Sequence, residues 1–164
     1  MTFAGITLPT QSNTQGILSL DLLRSIVQAG KDLEVGINNP TKFAQVFGDF
    51  STAATSKIIT LFTSITEEAV HEVVIKLGTS FVGTGITVLT AKIGISGDTE
   101  KYLTSFDLLQ AVSGTSNDEV TVDLGRFDLP VGTDIELLIE ATGANLDQLS
   151  AGAVDIWISR SNLV

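Results

Sequence analysis

One histidine and no cysteine occur in this chain of 164 residues, which limits the available chemistry more than any motif does. A Ser/His/Asp or Cys/His relay would have to use His71. The alternation around His71 groups it with Val73 and Ile75 at the start of a strand, where it reads as a packing or surface residue beside Glu72. With one imidazole and no thiolate, a zinc site would need mostly carboxylates, an uncommon ligand set. The Gly83–Val88 stretch GTGITV lacks the third glycine of a dinucleotide fingerprint and leads into a strand instead of a helix. Without a helix N-terminus to hold a pyrophosphate, it reads as a turn.

Carboxylates are abundant, so a glycosidase pair and a calcium loop both have to be weighed. Acid pairs for glycoside hydrolysis are assembled by the fold and leave no mark in sequence spacing. The large polar-tipped rings that could stack on a sugar are Trp157 and Tyr102 alone. Asp98 with Glu100, and Asn117 with Asp118 and Glu119, make oxygen-rich loops, but neither follows the twelve-residue calcium pattern, and both read as solvated turn acids. The expectation is a protein with no catalytic residues, no metal and no cofactor, hence not an enzyme.

Charge is uneven along the chain. Residues 1–57 hold four bases (Arg24, Lys31, Lys42, Lys57) and four acids (Asp21, Asp32, Glu34, Asp49), so the net charge of −10 belongs to the remainder. Such a surface repels phosphates, and nucleic acid is not an expected partner. No apolar run approaches the ~20 residues of a membrane-spanning helix. The first fifteen residues carry no Lys or Arg, so a secretory n-region is not expected and synthesis in a cytoplasm is. A composition of 43% hydrophobic and 17% charged residues is that of a packed, soluble globular domain.

The pattern changes near residue 57. Before it lie an extended arm over 1–16 and an amphipathic helix predicted over about 18–29, with Leu18, Leu22 and Ile26 on one side. Gly30 is placed to end that helix, and a weaker helical candidate covers 41–47. After it the period is two. Ile59, Leu61 and Ile65 alternate with polar residues, as do Val73, Ile75 and Leu77. Val120, Val122 and Leu124 do the same, followed by Ile135, Leu137, Ile139 and Ala141, interrupted by Leu138. The last such run is Val154, Ile156 and Ile158. Phe106, Leu108 and Val112 suggest a further strand, and a change of phase at Val88–Leu89 suggests a bulge. Turns are expected at 78–85, 94–98, 114–119, 130–133 and 143–152. These signals predict a mainly β protein: an N-terminal segment over 1–57, then an antiparallel β-sandwich over 58–164. An eight-stranded jelly roll is preferred. Leu18, Leu22, Ile26 and Trp157, the last on the face opposite the core, are the candidate interface residues.

Two stretches, IKLGTSFVGTGITVLTAKIGISGDTEKY at 75–102 and TGANLDQLSAGAVDIWI at 142–158, resemble small virion proteins of tailed phages and prophages. The shared features are a Lys-bearing strand before a Gly-Thr turn, a Gly-Asp loop after the next strand, and a Gly-Ala-Asn-Leu segment leading into an Asp-Ile-aromatic strand. The resemblance spans about residues 57–160. It implies a capsid decoration (cement) protein on the outer head surface, with the major capsid protein as partner and a homotrimer as the assembly. The alternatives are a carbohydrate-binding module and a tail- or fibre-associated virion component. A glycan module would require an aromatic platform or a calcium loop.

Overall fold

The computed structural model describes residues 2–3, 6–7, 40–112 and 119–163. The chain divides into two compact units, Met1–Asn39 and Pro40–Val164. In the first, strand β1 (Thr2–Phe3) pairs antiparallel with β2 (Ile6–Thr7). The expected helix over 18–29, with Leu18, Leu22 and Ile26, lies outside the described residues.

The described residues of the second unit form eight strands: β3 (Thr41–Val46), β4 (Ser56–Thr63), β5 (Glu68–Gly83), β6 (Val88–Ile95), β7 (Asp98–Asp107), β8 (Glu119–Leu129), β9 (Asp134–Thr142) and β10 (Leu149–Asn162). They form two four-stranded sheets, ordered β3-β10-β5-β8 and β4-β9-β6-β7, and every pairing is antiparallel. Among the described strands of this unit, only β6–β7 form a hairpin within one sheet; every other pair of successive strands lies in different sheets. The hairpin turns on Ser96–Gly97, with Gly97 at φ 87°, a value a side-chain-bearing residue rarely adopts.

The period-two runs meet in one core. Val73, Ile75 and Leu77 of β5 and Val154, Ile156 and Ile158 of β10 line one wall. Leu89, Ala91 and Ile93 of β6 and Ile135, Leu137 and Ile139 of β9 line the other, all fully or almost fully buried. Because a strand's side chains alternate strictly, burying one set commits the intervening set to the outer face. Leu138 accordingly lies outward, half-buried, in register with Ile58 of β4 and Lys92 of β6.

Several local expectations differ from the fold. Residues 41–47, expected as helical, form β3 followed by a one-turn helix, α1 (Phe47–Phe50). Thr41, Phe43 and Gln45 turn inward while Lys42, Ala44 and Val46 face out, and pairing with β10 outweighs a weak helical preference. Residues 41–56, grouped by sequence with the N-terminal segment, thus supply an edge strand to the first sheet. The glycine-rich stretch at 78–85 is strand up to Gly83. The bulge expected at Val88–Leu89 is not there: the β6–β9 register runs unbroken from Val88↔Thr142 to Ile95↔Ile135. The irregularities of β6 lie on its other side, against β7 between Ala91 and Ile95. Ile65, expected to continue the inward row of β4, follows the strand's end and is 84% exposed.

Candidate interaction surfaces

Trp157 lies on the outer face of the first sheet, in a cross-strand row with Lys42 of β3, Val74 of β5 and Thr121 of β8. Its ring is half-buried, and the Lys42 ammonium sits 5.2 Å from the ring centroid while bonding Asp155 at 2.8 Å. A cation over an aromatic face is held by the ring quadrupole. The indole is therefore engaged with the Lys42–Asp155 pair on this face of the sheet.

His71 occupies the irregularity between Val70 and Glu72, and its Nε2 lies 2.8 Å from Ser161 Oγ. Beside it Ser159 Oγ donates to Glu72 Oε2 at 3.3 Å. Histidine and serine here tie β5 to β10 on the sheet surface. A cavity of about 140 Å³ is lined by other residues, Glu67, Asp128, Leu129, Pro130 and Leu163.

Asp98 and Glu100, expected in a loop, stand on strand β7. Glu100 of β7 and Glu140 of β9 both bind Lys92 of β6, each at 2.7 Å, and the two carboxylates hold its ammonium well above the usual lysine range. Asp98 lies near Tyr102, whose phenol is pushed up to about 12, by burial first and by the Asp98 charge second. Among the described residues no cluster of three or more His, Asp or Glu side chains could hold a metal ion, and no helix is long and apolar enough to cross a membrane. Asn117 and Asp118 lie outside the described residues.

Where the two sheets meet along β3 and β4, the Phe43 and Phe62 rings stack at 5.8 Å. The Arg160 guanidinium lies 4.0 Å from the Phe62 centroid and donates to both oxygens of buried Glu68, at 2.9 and 3.2 Å. This column joins β5 and β10 of one sheet to β4 of the other.

A further surface escaped the sequence reading. The turns at 64–67 and 130–133 are bound to each other: Ser64 N–H donates to Thr133 O at 3.0 Å, and Gly132 N–H to Ser64 O at 2.8 Å. The Ser64 hydroxyl donates to Pro130 O and accepts from Thr133 N–H, while Thr63 Oγ1 donates to Asp134 Oδ1. Leu163 N–H closes the same end on Glu67 O at 2.8 Å. Ile65, 84% exposed, and Val131, 59% exposed, project from these turns. Thr133 N–H donates to Pro130 O at 3.3 Å and Gly132 has φ 78°, the glycine position of a type II turn, so Val131 is the second residue of that turn. That local signal was legible; the placement of Ile65 beside it was not.

No family model and no curated protein matches the chain. Among solved structures, a chain of the cyanophage Pam1 capsid asymmetric unit matches with a TM-score of 0.56 at 14% identity. The match covers 95% of this chain and 100% of that one, which establishes a shared fold. A match to the structure of infectious bursal disease virus, Gx strain, has a TM-score of 0.22, 14% identity, and coverage of 78% and 38%, too weak a likeness to argue from.

Proposed function

We propose that this chain is a structural virion protein, without enzymatic activity, that decorates the outer surface of a phage head and stabilises the shell. The observation that carries this reading is the sheet architecture. Two four-stranded antiparallel sheets ordered β3-β10-β5-β8 and β4-β9-β6-β7 support the reading of an eight-stranded jelly roll, an architecture common in capsid proteins. The same fold spans the whole of a chain in the cyanophage capsid unit. The sequence resemblance to small virion proteins points the same way. The major capsid protein is the partner in this reading, and three copies form the functional unit. Weak contacts repeated over a symmetric shell add up through multivalency, so a decoration protein needs no single strong site. The net charge of −10 per chain keeps free trimers apart and soluble before assembly.

The test has two parts. Sedimentation equilibrium of the purified chain should return the mass of three copies. Heads produced from a phage genome lacking this gene should then bind the purified protein and resist heat better once they have done so. Heads that neither bind the protein nor gain stability would defeat the proposal.

A further inference from the structure

We draw no further inference here: the strongest candidate, the exposed apolar patch on the first sheet where Val46 of β3 and Val82 of β5 flank Ala153 and Ala151 of β10, carries nothing because nothing in the structure shows what covers it.

Discussion

Replacing Gly152 by alanine is expected to be among the most damaging single-methyl additions in the second unit. Gly152 interrupts the β10 pairing between Ala151 and Ala153 and has φ 137°, a conformation side-chain-bearing residues avoid. A β-carbon there would lie 2.3 Å from two carbons of the Phe81 ring. That ring is 2% exposed and has Phe50 of α1 packed behind it at 5.4 Å, so it has little room to retreat. Overpacking a core costs about 1–3 kcal/mol. The forced backbone conformation adds about 1–3 kcal/mol. Together they suggest a loss of roughly 3–4 kcal/mol, or a fall in Tm of about 10 °C for a domain of this size. Urea denaturation of Gly152→Ala, Phe81→Leu and the double variant separates the two parts. Leucine should relieve the steric part, so the double variant should be more stable than the summed single effects by at least about 1 kcal/mol. A Gly152→Ala cost below about 1 kcal/mol, or strict additivity with Phe81→Leu, would refute the reasoning.

Two further outcomes follow from the electrostatics. Tyr102 is the only tyrosine, so tyrosinate absorbance reports it alone; its native midpoint should lie near pH 12, against 10.0 for an ordinary tyrosine. Because the folded value is raised, its contribution to stability is complete below pH 10 and is lost as pH climbs towards 12; a native midpoint near 10 would contradict this. Glu68→Ala should destabilise by about 2–3 kcal/mol, at or below the low end for breaking a buried pair because Arg160 retains 27% side-chain exposure. Replacing Glu68 and Arg160 together by Leu and Met should restore most of that loss, as judged by urea midpoints; an equal or larger loss in the double variant would show that the ion pair stabilises this end of the first sheet better than apolar contact could.

What could be read from the residues alone was the wall of each sheet. Ile135, Leu137 and Ile139, and likewise Val154, Ile156 and Ile158, are buried where their alternation put them, because a period of two leaves a half-buried strand no other way to hide its apolar set. The outward placement of Trp157 followed from the same rule, and the rarity of chemically reactive side chains was plain from composition. Pairing partners were not legible. Alternation says which face a residue takes and is silent on which strand lies alongside, so β3 emerges only because β10 offers it an edge. Nor could spacing place Ile65. Its turn is set by Ser64 bonding residues 66 and more positions away in sequence, at Pro130, Gly132 and Thr133. Long-range hydrogen bonds of this kind have no local signature, and here they decide which apolar side chains are left facing solvent.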